Sequence, residues 1–442
     1  MASAPSTSRS WGAAPGTGLV VVLGAGLAGL AAAARLAKAG HPVQLFEVSD
    51  RLGGSWAPYP MQEHPSVLVD DAPAVLGFPA PVRDLFRKSG RTLDAELQRS
   101  GHSLVPAPPA RHVFGDGTEL VLPADRGEQY QAMTQAYGVA VAERWRSLLD
   151  RLDDVWQTIR PLGLEAELRD PSQLTGAARR QLRPRQSIEQ LARDTGHPHL
   201  AALLRSVAYR MGSQPRRTPG WCAVELSVAR RFGRWAVGGP EPGRSSVLVD
   251  ALQARLTARK VTVHLRTEVN QILVDRGRAV GVLAGGDRVD AAAVISTVDP
   301  WTVYDQLLPH AAARRERRGV HRLRPALLPR VSHTLWDLTS SAVTETVRHA
   351  ADNGRAVPPA TTYTRPVDTA TLQTVHDYSS ATATPRAGAA WTGFGSWLRR
   401  PPVTSEVAGL FLAGPFSRGG GSPSQTVLSG ALASYAAQNY LN

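Results

Sequence analysis

Hydrophobic positions near the start of the chain follow two different periods. Val20–Leu23 is an unbroken apolar run, which is typical of a strand buried on both faces. Apolar residues then recur at helical spacing through residues 27–39, and a second short apolar run ends at Glu47. The order strand, helix, strand predicts a βαβ unit with two parallel strands.

The rest of the chain divides into a largely helical middle and a return to alternating strands and helices. Residues 80–88 are amphipathic, residues 126–160 and 187–212 carry helical periodicity, and residues 111–122 alternate around Asp116-Gly117 as a hairpin does. Residues 231–245 are rich in Gly, Pro and Arg, which favours a crossing between domains. The later elements predicted are a helix at 245–258, strands at 261–265, 269–274, 279–283, 293–296 and 409–413, further strands and loops at 331–400, and a helix at 423–441.

The turn between the first strand and the first helix has the spacing G-x-G-x-x-G. In a βαβ unit such glycines permit a tight turn, close approach of the backbone to a pyrophosphate, and close packing of helix on strand. The candidate contacts are Gly24, Gly26, Leu27, Ala28 and Gly29. Glu47 follows the second strand at the distance expected of a carboxylate that accepts from ribose hydroxyls, so the pattern predicts a dinucleotide site.

A second glycine pair distinguishes FAD from NAD. Glu47-x-x-x-Arg51-x-Gly53-Gly54 resembles the extended fingerprint of the phytoene (carotenoid) desaturase-like branch of the flavin amine oxidase superfamily. The resemblance implies that Arg51 and the Gly pair continue an FAD site past the ribose. Ser55 stands where the family usually has Arg or Lys, and it is kept as a candidate contact.

The same resemblance extends over nearly the whole chain beyond residue 18. Phe114-Gly-Asp-Gly-Thr resembles a hairpin of the family, and the segment around Val269 resembles its middle FAD segment, which implies that the backbone of Val269 meets the adenine. The strand exit at 295–300 and the stretch through Gly414 resemble two further family segments. Pro415 replaces the Asp that amine oxidases carry after Ala-Gly, and Pro242-Gly-Arg-Ser-Ser replaces the family's Gly-Gly-Met turn. The first change favours the desaturase branch.

The last helix carries its own start signal. Ser422 is a good N-cap residue, and Pro423 suits the first helical turn. We therefore expect free N–H groups at this end to face the flavin's pyrimidine edge or the pyrophosphate, where a helix N-terminus stabilises negative charge. The candidate residues are Ser422, Ser424, Gln425 and Thr426.

These segments predict an α/β fold with a Rossmann-like FAD-binding domain that is discontinuous, as in glutathione reductase, and an inserted α+β substrate domain. The predicted division is a disordered tail at 1–18, FAD-binding pieces at 19–65, 245–304 and 405–442, and substrate-domain pieces at 66–244 and 305–404.

Composition limits the compartment and the chemistry of the chain. Its 442 residues are 43% hydrophobic and 20% charged, which is typical of a globular protein, and no apolar run is long enough to span a membrane. We expect a cytoplasmic enzyme with no secretion signal. Cys222 is the only cysteine and lies in an apolar context, so it is interpreted as buried and inert. The histidines lack metal-ligand spacing; the closest pair is His197 and His199.

The net charge of +13 arises mainly from arginine, which clusters at 179–185, 216–234 and 314–324. One interpretation is a coding bias that places solvated arginines on the surface. The other is a basic face that docks an acidic carrier protein or an anionic membrane surface, which would make the enzyme peripherally membrane-associated. The candidate docking residues are Arg314, Arg315, Arg317, Arg318, Arg322 and Arg324. No reader motif for nucleic acid accompanies the charge.

The family resemblance implies transfer of a hydride from a substrate C–H to flavin N5, which leaves a double bond in a lipophilic or carrier-tethered metabolite. Because the flavin performs the difficult step, the sequence need not contain a catalytic triad, and it designates no catalytic residue. Flavin amine oxidase and redox-neutral flavin-dependent isomerase remain alternatives. The aromatic residues that could line an apolar cleft are Trp56, Tyr59, Trp391, Phe394 and Trp397.

Overall fold

The structure is a computed structural model that describes residues 18–337, 342–350 and 357–442. Apart from residue 18, the predicted tail lies outside the described residues. The strands are β1 (Val20–Leu23), β2 (Val43–Phe46), β3 (Tyr59–Pro60), β4 (Leu68–Val69), β5 (Ser103–Pro106), β6 (Ala110–Val113), β7 (Glu119–Leu122), β8 (Trp235–Gly238), β9 (Thr262–His264), β10 (Val269–Asp275), β11 (Arg278–Ala284), β12 (Asp287–Asp290), β13 (Ala293–Ser296), β14 (Pro325–Trp336), β15 (Thr344–Arg348), β16 (Ala360–Val367), β17 (Ala370–Ala389) and β18 (Leu410–Leu412). The α-helices are α1 (Leu27–Lys38), α2 (Ala80–Ser89), α3 (Leu93–Gln98), α4 (Arg126–Tyr137), α5 (Val139–Ile159), α6 (Gly176–Leu182), α7 (Ile188–Asp194), α8 (Pro198–Arg210), α9 (Val224–Phe232), α10 (Val247–Ala258), α11 (Pro300–Thr302), α12 (Arg314–Val320), α13 (Ser396–Arg399) and α14 (Pro423–Leu441).

A five-stranded parallel sheet forms one unit, in the order β18-β13-β1-β2-β9. β1 is buried along its whole length, and its side chains alternate between two cores. Val20 and Val22 pack with α1, α10 and α14, whereas Val21 and Leu23 pack with the antiparallel sheet β10-β11-β12. The apolar run therefore marks a strand covered on both faces, as its sequence predicts.

This sheet collects strands from three separate stretches of the chain, as a discontinuous dinucleotide-binding domain requires. β1 and β2 come from the first stretch, β9 and β13 from the second, and β18 from the third. The last helix, α14, packs on α1 so closely that a Cβ on Gly430 would lie 2.3 Å from the Ala28 carbonyl oxygen. The numbered domain boundaries themselves stay a prediction.

The second unit pairs a six-stranded sheet with a helical layer. The sheet order is β14-β17-β16-β15-β6-β7, and β6 runs parallel to β15 but antiparallel to β7. The helical core around α5, α8 and α9 buries Trp145, Leu149 and Leu204. The chain therefore combines an α/β unit with an α+β unit, as expected from its pattern.

Three predicted stretches differ from the structure in their details. Residues 126–160 form two α-helices because Gly138 adopts φ +82°, a conformation outside the helical range. Residues 187–212 likewise divide at residues 195–197, before α8 begins at Pro198. The stretch 231–245 is not simply a linker, since it contains β8, which pairs antiparallel with β5.

Within the described ranges, we find no helix with the combined length and apolar character needed to cross a bilayer.

Candidate functional site

A single large cavity of about 1690 Å³ extends from the glycine turn of the parallel sheet to the six-stranded sheet. The residues around it belong to β1, β2, β10 and the start of α14 on one side, and to α8, α9, β16 and β17 on the other. Of the sixteen predicted site residues only Gly29 does not border it; the bordering ones are Gly24, Gly26, Leu27, Ala28, Glu47, Arg51, Gly53, Gly54, Ser55, Val269, Gly414, Ser422, Ser424, Gln425 and Thr426. The volume exceeds the usual ligand pocket of about 300–1,000 Å³.

The three glycines of the turn have three different surroundings. Gly24 has φ +89°, which disfavours any side chain. A Cβ on Gly29 would lie 1.9 Å from the Gly24 carbonyl oxygen, so this residue keeps the helix close to the strand. A Cβ on Gly26 would meet no protein atom within 4 Å. The space in front of Gly26 therefore suits a ligand that approaches the backbone.

Glu47 braces the same turn. Its carboxylate accepts the Ala25 N–H at 2.7 Å and the Ser49 N–H at 2.9 Å, one on each oxygen. A carboxylate offers about four acceptor positions, so two hydrogen bonds leave capacity for hydroxyl donors from the cavity. The backbone carbonyl of Glu47 accepts from Thr267 N–H at 2.9 Å, which brings Val269 to the same border of the cavity.

The second glycine pair lies directly against the first turn. Gly53 N–H donates to the Ala25 carbonyl at 2.8 Å, and a Cβ on Gly54 would lie 3.4 Å from the Gly26 Cα. Both residues have positive φ, +113° and +60°. Arg51 is exposed at the cavity rim, where its guanidinium pairs with the Asp50 carboxylate at 2.9 Å.

The N-terminus of α14 is capped as its sequence predicts, and this cap corrects one expectation. Ser422 Oγ accepts the Gln425 N–H at 3.5 Å, and the Ser422 carbonyl accepts the Thr426 N–H at 2.8 Å. The Gln425 and Thr426 amides, which were expected to face the cofactor, are therefore already paired within the helix. Ser424 N–H donates to no acceptor among the described residues, and its hydroxyl donates to the Phe78 carbonyl.

The predicted aromatic lining is only partly correct. Trp56, Tyr59 and Trp391 border the cavity, but Phe394 and Trp397 do not; both pack in the helical core. The correction has a geometric cause, because Trp397 lies in the short helix α13 and faces the backbone of residue 163.

Tyr59 belongs to a polar cluster at the cavity. Its hydroxyl donates to the Asp71 carboxylate at 2.7 Å and lies 3.0 Å from Nε2 of His333. Burial and the Asp71 carboxylate together raise the pKa of Tyr59 well above its usual range. The phenol is consequently a neutral donor at physiological pH.

A buried cation near the C-terminal loop was missed by the sequence reasoning. The Arg400 guanidinium lies 4.1 Å from the Trp391 ring centroid and donates to the carbonyls of Ser417 and Ala389 at 3.1 and 2.5 Å. Burial lowers its pKa to about 10. Cys222 nearby is fully buried, which raises the pKa of its thiol well above the usual value and agrees with an inert role.

The cavity wall also carries ionisable side chains that no motif indicated. Arg210 and Glu225 approach from α8 and α9, and Tyr363, His376 and Tyr378 from β16 and β17. Burial raises the pKa of Glu225 and of both tyrosines, to about 12 for Tyr378, and lowers that of His376 to about 4. Alternation on a strand indicates two faces, but the sequence does not show which face meets a cavity.

The arginines of the cluster at 314–324 differ in their exposure to solvent. Arg317 has a side chain only 14% exposed, and its guanidinium donates to the His310 and Pro309 carbonyls at 3.3 Å. This contradicts its assignment to a free docking face, since it holds the chain before α12. The exposed members are Arg314, Arg315, Arg318, Arg322 and Arg324.

The model of the flavin containing amine oxidoreductase family matches residues 27–331, which is well over half of the chain. The chain belongs to this family. Curated relatives include hydroxyneurosporene desaturase of Cereibacter sphaeroides, 32% identical over 64% of this chain and 56% of the relative. A neurosporene-forming phytoene desaturase of Rhodobacter capsulatus is 26% identical over 66% of this chain and 55% of the relative. The matches therefore span little more than half of these two relatives.

Solved structures agree on the fold of this family member. An oxidoreductase from Methanosarcina mazei superposes with a TM-score of 0.67 at 16% identity, covering 93% of this chain and 99% of the other. At that identity the similarity shows the fold alone. Membership of this flavin-containing family supports FAD as the cofactor, and the resemblance to desaturase-like members is confirmed by the curated relatives.

Proposed function

We propose that the protein is an FAD-dependent dehydrogenase of the desaturase type, which introduces a double bond into a substrate with a lipophilic chain. The observation that carries the proposal is the continuous cavity, which joins the glycine turns to a chamber under the six-stranded sheet. Its volume leaves room for a second molecule beside a dinucleotide. The curated relatives named as desaturases support the same reaction class.

The residues at the sheet end fit FAD. The open space at Gly26 suits the pyrophosphate, Glu47 retains acceptor capacity for ribose hydroxyls, and Val269 lies beside Glu47 for the adenine. In this assignment Gly414 and the Ser424 amide adjoin the ring system, where a helix N-terminus favours negative charge. The assigned contacts are Gly24, Gly26, Leu27, Ala28, Glu47, Arg51, Gly53, Gly54, Ser55, Val269, Gly414, Ser422 and Ser424, with Gly29 acting through helix packing and Gln425 and Thr426 through the cap.

Bound FAD supplies the hydride acceptor, so the chain itself must bind, orient and enclose the substrate. Trp56 and Trp391 give the chamber apolar surface, and the buried Arg400 fixes the backbone around Ser417. Enclosure excludes water from the reacting carbon. No residue is assigned as a proton acceptor.

The exposed arginines near α12 suit delivery of an oily substrate from an anionic source, either an acidic carrier protein or a membrane surface. Steering by exposed charge weakens with salt because the Debye length falls from about 10 Å at 0.1 M to about 3 Å at 1 M. Replacing Arg318 and Arg322 with Glu should raise the apparent KM for substrate presented on anionic vesicles and leave kcat unchanged. A KM that is unaffected by both salt and charge reversal would return these arginines to the coding-bias interpretation.

Anaerobic mixing of the purified yellow protein with candidate substrates tests the reaction class. A desaturase bleaches the flavin absorbance and gives a product two hydrogens lighter. An imine or aldehyde formed with peroxide in air identifies an amine oxidase, and an unchanged product mass identifies a redox-neutral isomerase. Either of these two results would overturn the proposal.

A further inference from the structure

Several of the side chains that the six-stranded sheet presents to the chamber are polar, although an enclosed sheet face is ordinarily apolar. Val347 pairs with His112 on one side and with Thr361 on the other, and Thr361 pairs with His376. Paired residues point to the same face, so this row faces one way across three strand pairs. Glu345 and Tyr363 form the next pair on that face. The members that border the cavity are His112, Glu345, Tyr363, His376 and Tyr378.

Two ionisable side chains from the helical layer border the same cavity. Arg210 is the last residue of α8, and Glu225 lies in the first turn of α9. Burial raises the pKa of Glu225, Tyr363 and Tyr378, and the positive charge of Arg210 partly opposes that rise at all three. We call Arg210, Glu225, Tyr363 and Tyr378 the polar end of the chamber.

Three side chains of the polar end are not paired with other side chains. The side chains of Arg210, Glu225 and Tyr378 form no hydrogen bond or ion pair with another residue of the part of the chain that the structure describes. A neighbouring pair shows the contrast, because Arg234 is bound by Glu345. The Arg210 guanidinium offers five N–H groups and the Tyr378 phenol one O–H, and none of these donors has a protein acceptor within the described residues.

We propose that the polar end binds an oxygen-containing group of the substrate, so that the molecule oxidised is an amphiphile rather than a pure hydrocarbon. The inference rests on the proposed function and names its substrate class: an apolar chain that carries a hydroxyl, carbonyl or carboxylate group. The unpaired guanidinium of Arg210 and hydroxyl of Tyr378 require an acceptor from the ligand, because a buried donor without a partner is costly. A hydrocarbon would displace water from Arg210 and Glu225 without replacing its hydrogen bonds.

A matched ligand set tests this on the FAD-loaded protein. Phytane, phytanol and phytanic acid share one C20 skeleton and differ only at the terminal carbon. Binding of each tritiated probe is measured by equilibrium dialysis in identical detergent micelles. We expect at least one oxygenated probe to bind about tenfold tighter than phytane or more. Comparison of alcohol with acid then separates a neutral from an anionic group.

Variants assign the preference to named side chains. Arg210→Met should abolish the preference, and Tyr378→Phe should reduce it while leaving phytane binding unchanged. Arg151→Met, at an exposed position on α5 away from the cavity, is the matched control. Flavin content and melting temperature verify folding, and the conservative Tyr378→Phe change keeps the test valid if Arg210→Met is unstable.

Two results would overturn the inference: equal affinity of the wild-type protein for all three probes, or an oxygen preference that survives in both variants. Failure of the proposed function gives a different result. Flavin that is bleached anaerobically by the hydrocarbon phytoene, with equal efficiency in wild type and in both variants, sustains the function and refutes the polar-end inference. A protein that binds no flavin refutes the function itself.

Discussion

Gly26 and Gly29 lie three residues apart in one turn, but a methyl group should have different effects at the two positions. At Gly26 it should weaken FAD binding, and at Gly29 it should lower the stability of the fold. At Gly26 a Cβ meets no protein atom within 4 Å and the φ of −69° suits any L-residue. Restricting the unfolded chain stabilises by about 0.4–1 kcal/mol, and losing glycine at an N-cap costs a similar amount. We therefore expect Gly26→Ala to change the unfolding free energy of the apoprotein by less than about 1 kcal/mol.

Binding of FAD should respond quite differently to this change. The added carbon occupies the space assigned to the pyrophosphate, and Gly26→Val fills more of it. We expect the Kd for FAD to rise at least 100-fold in the Val variant, equivalent to about 2.7 kcal/mol. Flavin absorbance of the purified protein and fluorescence titration of the apoprotein measure this loss.

Gly29→Ala provides the contrast and Gly176→Val the control. A Cβ at Gly29 lies 1.9 Å from the Gly24 oxygen, so α1 must shift from β1 and the apoprotein itself should lose about 1–3 kcal/mol or more. Gly176 is exposed in the first turn of α6, and a Cβ there would meet only Nη1 of Arg180, at 3.6 Å. Wild-type flavin affinity in Gly26→Val, with folding intact, would refute the cofactor placement.

Three further outcomes follow from individual contacts. Glu47→Ala should weaken FAD binding by about 1.5–3 kcal/mol, less than Gly26→Val, since it removes hydrogen bonds to a charged group without blocking the site; an unchanged Kd would contradict this. Burial lowers the pKa values of His349 and His376 to about 4, below the unfolded value near 6.5. The stability that these neutral histidines contribute is therefore complete above about pH 6.5 and is lost as the pH falls towards 4, by up to about 3 kcal/mol for each. The urea midpoint should accordingly be lower at pH 5 than at pH 7.5. Arg317→Glu should lower the melting temperature because it removes the bonds to the His310 and Pro309 carbonyls, whereas Arg318→Glu at the exposed neighbouring position should not. Equal melting temperatures would show that Arg317 has no structural role.

Local patterns predict those parts of the site that local geometry determines. The glycine turn, the Ser422 cap and the hairpin at 111–122 each depend on a few neighbouring residues, and the structure contains all three. The polar end was not predictable in this way. It depends on the register of β15, β16 and β17, and on two helix ends that approach from a different layer. The spacing of residues in the sequence does not show how these strands and helix ends come together.

The same limit explains the corrected positions. Trp397 and Trp391 are six residues apart and of one type, but only Trp391 meets the cavity, because α13 turns the other ring into the helical core. Arg317 differs from Arg318 for a similar reason. A single step of about 100° around the helix separates a guanidinium that donates to carbonyls from one that faces solvent. Residue type predicts neither orientation.

The position of β18 at one edge of the parallel sheet has a consequence for synthesis. β1, α1 and β2 emerge early from the ribosome, but β18 and α14 complete their sheet and cover α1 only after some 400 more residues have been made. At about 5–20 residues per second the interval is roughly 20–80 s. During that time the Ala-rich face of α1 that Gly430 later covers is exposed. We therefore expect cofactor acquisition to follow the synthesis of α14, and nascent chains halted before β18 to depend on chaperones.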